Sequence, residues 1–207
     1  MIGLDMPFTL QHSLTGASVM DRIATHALKV KSPGFSEQDY GYVGNDETVW
    51  ESPGIEVPMI SLLRWPYKEY HSDQDDLSIV CDEKFWETVD VLEYIVDIFE
   101  QDFTIQRQFT GLIALSNPKY NLYYEHEDPV IKKQIADIDK KFAKMQDHLQ
   151  RYFNSNFSVF EIANKFDIPF HLLKNYLLKF EKLGLVQLNP VTDIGWYKSY
   201  GSRLNDL

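Results

Sequence analysis

The sequence predicts two modules of different class. An α/β module of mixed strands and helices occupies residues 1–104, and an α+β module with a long helix and a helix-turn-helix occupies 128–207. Residues 105–127 form a linker or short strands between them. Three observations carry this. Short apolar runs alternate with helix-period segments in the first module. Near the end of the chain, two helix-period segments meet at a tight turn and are followed by two strand-like runs. The charge also changes sign: residues 1–127 carry 8 Lys and Arg against 22 Asp and Glu, and residues 128–207 carry 12 against 9.

The opening run Met1-Ile-Gly-Leu-Asp-Met6 reads as a strand with Asp5 at its carboxyl end. Gly16 to Lys31 follows as a helix. Val19, Met20, Ile23, Ala24, Ala27 and Leu28 share one face, and Ser32-Pro33-Gly34 ends it. Phe35 to Tyr40 is expected as a short edge strand, and Gly41 to Ile55, holding Gly, Asn, Pro and Asp, as a long loop. The apolar run Val57 to Leu63 reads as a short buried strand ending at Arg64-Trp65-Pro66. Asp82 then caps a long helix, with Phe85, Trp86, Val89, Leu92, Ile95, Val96 and Phe99 expected to face inward. Phe109 to Leu115 and Asn121 to Tyr124 are expected as short strands or irregular linker.

In the second module, Ile131, Ile135, Ile138, Phe142, Met145, Leu149 and Tyr152 follow a 4-3-4-3-4-3 spacing. That is a short heptad seam, suited to packing on its own module or to a homodimer through helix 131–152. Ser158 and Glu161 form a capping-box pattern ahead of Ile162, Ala163 and Phe166. Asp167-Ile168 turns the chain, Pro169 starts a second helix, and Gly184 terminates its Leu172, Leu173, Tyr176, Leu177, Phe180, Leu183 stripe. Leu185 to Leu188 and Trp196 to Ser199 read as two wing strands, completing a winged-helix arrangement. The second helix offers His171, Lys174, Asn175, Lys179 and Lys182 outward but has no arginine. With a net charge of −11 on the whole chain, this argues against nucleic acid as a partner.

The 207 residues, 44% apolar and 14% aromatic, suffice for two cores. No apolar stretch has the length of a membrane span, and the single Cys81 cannot form an internal disulfide, so the expectation is a cytoplasmic protein.

Function concentrates in Tyr67-Lys-Glu-Tyr-His-Ser-Asp-Gln-Asp-Asp76, beyond the carboxyl end of the Val57 to Leu63 strand. Ligands in open α/β sheets bind at such ends. A neutral imidazole is the commonest zinc ligand, and neighbouring carboxylates fix its tautomer and orientation, so His71 is a candidate metal ligand. Upstream lie Gly44-Asn45-Asp46-Glu47, then Ser52-Pro53-Gly54-Ile55 and Val57-Pro58-Met59. Over roughly residues 1–100 this ordered series resembles the C-terminal half of the co-catalytic zinc aminopeptidases. That family has a Gly-Ser-Asp-His-like loop, a short Pro-containing strand and a Tyr-His-Thr-Ser-x-Asp-like loop in the same order. The resemblance implies a mixed sheet with helices and two zinc ions, with His71 on one metal and Asp5, in a Leu-Asp-Met sequence, on the other. Asp46 would flank the pocket and position the substrate amine; the family's Asp-His pair is Asp46-Glu47 here. Members that carry a winged-helix module after the catalytic fold share this layout. The family's first histidine, bridging aspartate and paired glutamates all precede the Asp5-like strand.

The expectation is therefore a zinc aminopeptidase-like hydrolase cutting peptides or other amine-bearing small substrates near a free N-terminus. It is represented by an incomplete C-terminal portion, inactive alone. The alternatives are a non-catalytic interaction protein of the same fold and a winged-helix DNA-binding regulator.

Overall fold

The computed structural model describes residues 2–123 and 136–191. They divide into two units, residues 2–99 and residues 100–191. Among the described residues, no helix is long and apolar enough to cross a membrane.

The first unit runs β1 (Thr9–Gln11), α1 (Val19–Lys31), β2 (Ser36–Gln38), α2 (Glu47–Trp50), β3 (Ser61–Leu63), a 3-10 turn (Leu77–Ile79) and α3 (Asp82–Gln101). Its sheet has the order β2-β1-β3. Thr9, Leu10 and Gln11 pair in parallel with Ser36, Glu37 and Gln38, and antiparallel with Leu63, Leu62 and Ser61. Parallel neighbours need a crossover, and α1 supplies it. Its start is fixed by a capping box: Ser18 accepts from the Asp21 amide, and the Asp21 carboxylate accepts from the Ser18 amide. Ile23, Ala24, Ala27 and Leu28 are buried as their spacing predicts, together with Phe8 and Leu10 of the central strand region.

Three expectations for this unit are corrected. Residues 2–6 make no ladder strand; Leu4 forms an isolated bridge to Val80, and the first strand starts at Thr9. Asp5 therefore lies on the amino side of β1, not at a strand's carboxyl end. The Val57 to Leu63 strand shrinks to Ser61–Leu63, and Val57 is exposed. Pro58 has no N–H to offer a ladder, which favours late strand entry. Finally, α3 buries Thr88, Val91, Tyr94, Ile95 and Ile98, while Phe85, Trp86, Leu92 and Val96 are exposed. The helix is apolar on both faces, so periodicity could not choose between them.

The second unit contains β4 (Phe103–Arg107), α4 (Ala136–Leu149), a 3-10 turn (Gln150–Tyr152), β5 (Asn154–Ser158), α5 (Val159–Phe166), α6 (Phe170–Lys182) and β6 (Val186–Pro190). The sheet order is β5-β4-β6, with β4 antiparallel to both neighbours. β4 thus runs into the stretch expected as linker or short strands and forms the centre of the sheet. β6 covers the first expected wing strand, but its partner is β4; Trp196 to Ser199 lies outside the described residues.

The helix boundaries follow the sequence signals. Ser158 and Glu161 form the reciprocal capping box at α5, and Asp167 closes it in the left-handed region at φ 52°. Pro169 stands at the N-cap of α6. Gly184, at φ 67°, donates to Glu181 O (2.8 Å) while Leu185 donates to Phe180 O (3.0 Å), a Schellman ending that requires the left-handed residue.

Leu173, Tyr176, Leu177 and Phe180 of α6 are buried, and Leu172 is half-buried. On α4, Phe142, Met145 and Leu149 are buried, with Phe142 edge-on to Tyr176. Ile131 and Ile135 of the seam lie outside the described residues. Two glutamines tie the irregular stretch down. The Gln150 amide exchanges hydrogen bonds with the Ile113 backbone (2.8 and 2.9 Å). Gln146 donates to the Tyr176 hydroxyl (2.8 Å), which donates to Leu122 O (2.7 Å). A loop so satisfied needs no strand ladder.

Candidate functional site

Thr9, the first residue of β1, pairs with Leu63, the last of β3. Because these strands are antiparallel, the chain entering β1 and the chain leaving β3 meet at one edge of the sheet. Asp5 lies on the first segment and His71 on the second. Their segments are joined by Arg64, whose side chain is fully buried. Its Nε donates to Ile2 O (2.9 Å), Nη1 to Met6 O, and Nη2 to Lys84 O (3.2 Å) and Glu87 Oε2 (2.9 Å). The guanidinium also lies 3.9 Å from the centroid of the Phe8 ring. A planar fork of donors suits this bracketing of carbonyls on both sides of Asp5, and a lysine could not reproduce it.

Asp5 itself is exposed at the apex of a tight turn, closed by Met6 N donating to Leu4 O at 2.8 Å. Thr9 Oγ1 donates to Trp65 O (2.8 Å), a second tie between the segments.

The counter-ion is Glu87. Burial works against its ionisation, but hydrogen bonds from Ser32, Lys84 and Arg64 outweigh it and pull the carboxyl down to about 2.

The loop carrying His71 is built on aromatic rings. The Trp65–Pro66 peptide is cis. Tyr70 meets Trp65 edge-on at 4.8 Å and Tyr67 at 5.6 Å, and His71 stacks on Tyr70 at 3.9 Å. Tyr67 donates to Asp75 (2.7 Å); desolvation and this carboxylate push its phenol up to about 12. His71 is exposed, with φ 61°, a conformation that histidine enters more readily than most residues. The backbone and the stacked ring thus hold an accessible imidazole at the tip of the loop.

Asp46 is exposed ahead of α2 and makes no capping hydrogen bond with its side chain. The anchored carboxylate is its neighbour. Glu47 is fully buried, accepting from Gln11 Nε2 (2.9 Å) and from the Asn45 amide (3.0 Å). These hydrogen bonds outweigh desolvation and lower its pKa. Gln11 in turn accepts from the Val43 amide (2.7 Å). The Asp46 loop is therefore fastened at the carboxyl end of β1, whereas the Asp5 segment enters β1 at its amino end and the chain leading to His71 leaves β3 beside it. At about 3.3 Å per residue, this short strand separates the two ends by only about 7 Å.

Among the described residues, no group of three or more His, Cys, Asp and Glu side chains could hold a metal ion.

Sequence reasoning missed Arg64, Glu87 and Glu47. Arg64 left a signal, an arginine embedded in Ile60-Ser-Leu-Leu-Arg-Trp65, where a charge can persist only if it is paired. Glu47 left none, because its partner Gln11 is distant in sequence.

Residues 1–102 match the model of a family described as a domain of unknown function (DUF4910). Comparison with curated proteins gives no match. The fold is similar to the crystal structure of a candidate peptidase from Clostridium acetobutylicum, with a TM-score of 0.66 at 18% identity. The likeness covers 90% of this chain and 40% of that one, so the chain spans two fifths of the length of that protein. The protein described here thus has a mixed α/β fold shared with a candidate peptidase.

Proposed function

We propose that the first unit is the C-terminal portion of a zinc aminopeptidase-like hydrolase, contributing Asp5 and His71 to a two-zinc site. The observation that carries this is the departure of both segments from one sheet edge, with Arg64 bonded on either side of Asp5. When bound, zinc would lower the pKa of a bridging water and stabilise the developing oxyanion. This chain's part is to present one carboxylate and one imidazole, and to keep the Asp5 turn in place. Asp46, on the exposed start of α2, orients the free amine of a peptide or similar small substrate. The bridging carboxylate, the remaining ligands and the general base belong to the part of the fold that the chain does not span, so the chain alone is inactive. The winged-helix reading of the second unit assigns it to packing or protein interaction. Lys174 is engaged by Gln101, so Lys179 and Lys182 are the exposed lysines of α6.

A peptidase assay tests this reading. The 207-residue chain should release no N-terminal residue from peptides in the presence of zinc. A form extended upstream should do so, and His71→Ala should abolish that activity. Robust activity from the chain alone, or an extended form indifferent to His71→Ala, would overturn the proposal.

The second reading is a non-catalytic interaction protein. A catalytically silent extended form would bring it forward.

A further inference from the structure

α3 is apolar over far more of its surface than its core needs. At 100° per residue its apolar arc spans roughly 220°, about twice that of an ordinary surface helix. One half of the arc, Thr88, Val91, Tyr94, Ile95 and Ile98, is buried. The other half, Phe85, Val89, Leu92 and Val96, follows a 4-3-4 spacing and lies outside the core. Leu92 is 47% and Val96 51% exposed, and Trp86 beside them is 63% exposed. The surface continues off the helix, because Gly3 backs directly onto Val80 and Phe85, and Val80 is itself exposed. A contiguous apolar surface of this kind on a soluble unit marks an interaction site.

Charge selects the occupant. Along its open side the stripe is bordered by Asp82, Glu83, Asp90 and Glu93, all exposed. Two copies of α3 packed antiparallel through the stripe would set this acidic border against its twin, which destabilises the pair. A helix with an apolar seam and Lys or Arg borders would instead meet the border with opposite charge. We propose that the outer face of α3 is a docking surface for an amphipathic helix with basic borders, contributed by a protein partner. The inference uses neither the Asp5 nor the His71 side chain, so its test and that of the proposed function fail separately.

The probes are two fluorescent synthetic helical peptides with leucine at the a and d positions, one with lysine and one with glutamate at e and g. Binding to the full chain is read by anisotropy. The lysine peptide should bind, more weakly as salt rises. The Leu92→Ser, Val96→Ser double variant should lower its affinity about tenfold or more. That variant leaves the charge unchanged and alters exposed positions, so its urea midpoint should match the parent chain, separating lost docking from lost folding. Four results overturn the proposal. They are failure of the lysine peptide to bind, equal binding of both peptides, affinity unchanged by the double substitution, and a dimer of the free chain in sedimentation that the double variant dissolves.

Discussion

Replacing Arg64 with methionine removes a fully buried guanidinium that lies over the Phe8 ring. Not every broken hydrogen bond is equally costly. Ile2 O and Lys84 O lie 2.8 and 3.0 Å from the Thr88 hydroxyl, whose single proton can serve only one of them at a time. Met6 O loses the Arg64 donor, at about 1–3 kcal/mol for a buried acceptor left without a partner. Glu87 loses its cation but retains Ser32 and Lys84, and its side chain is 24% exposed, so water can recover part of the loss. Breaking a buried pair from one side costs about 3–5 kcal/mol, and these compensations place Arg64→Met near 3 kcal/mol. Urea denaturation at pH 7, followed by tryptophan emission, measures it.

The pH dependence gives a second check. The folded Glu87 carboxyl titrates at about 2, below its ordinary 4.5. Its contribution is fully present above pH 4.5 and is lost as pH falls towards 2. Without Arg64 the carboxyl moves back up, so the gap between variant and parent should narrow across that window. A loss under about 1 kcal/mol at pH 7, or a gap indifferent to pH, would refute the clamp.

Four further outcomes follow from the same reasoning. His71→Asn should change stability by no more than about 0.5 kcal/mol in thermal melts, because the ring is exposed and asparagine also tolerates the left-handed backbone there; a larger loss would make His71 a structural residue. Ser158→Ala removes the buried cap of α5 and should cost about 1–2 kcal/mol in urea titration. Leu177→Ala, at a fully buried position of α6, should cost about 2–5 kcal/mol in the same measurement. Duplex DNA titrated against the chain at physiological salt should bind no tighter than about micromolar by anisotropy, and weaken steeply with salt. Nanomolar, sequence-selective binding would restore the regulator reading.

What was legible in the sequence was local. Ser158–Glu161 is a capping box spanning four residues, and α5 begins where this signal stands. Gly184 likewise ends α6 within one turn of the residues it serves. What failed depended on distant partners. β4, Phe103 to Arg107, has only five residues and no flanking turn signal, and its strand character comes from β5 and β6, some fifty and eighty residues away. The face that α3 buries was equally hidden, since apolar residues ring most of the helix and only tertiary packing selects among them. At the candidate site, His71 was visible as a lone imidazole among aromatics and carboxylates. Asp5 was assigned to the wrong side of a strand. The Arg64–Glu87 pair spans 23 residues, and its further bonds reach back to residues 2 and 6, so it required the fold.

In the proposed function, Asp5 and His71 serve one metal centre at one edge of the β2-β1-β3 sheet. A crystal structure of an upstream-extended form grown with zinc, with the metals located by anomalous scattering, tests it most directly. The Asp5 carboxylate and the His71 imidazole should then be found on the same pair of zinc ions. With the metals about 3.5–4 Å apart, the two side chains should lie within roughly 10 Å of each other. Zinc bound elsewhere, or the two side chains on opposite faces of the unit, would contradict it.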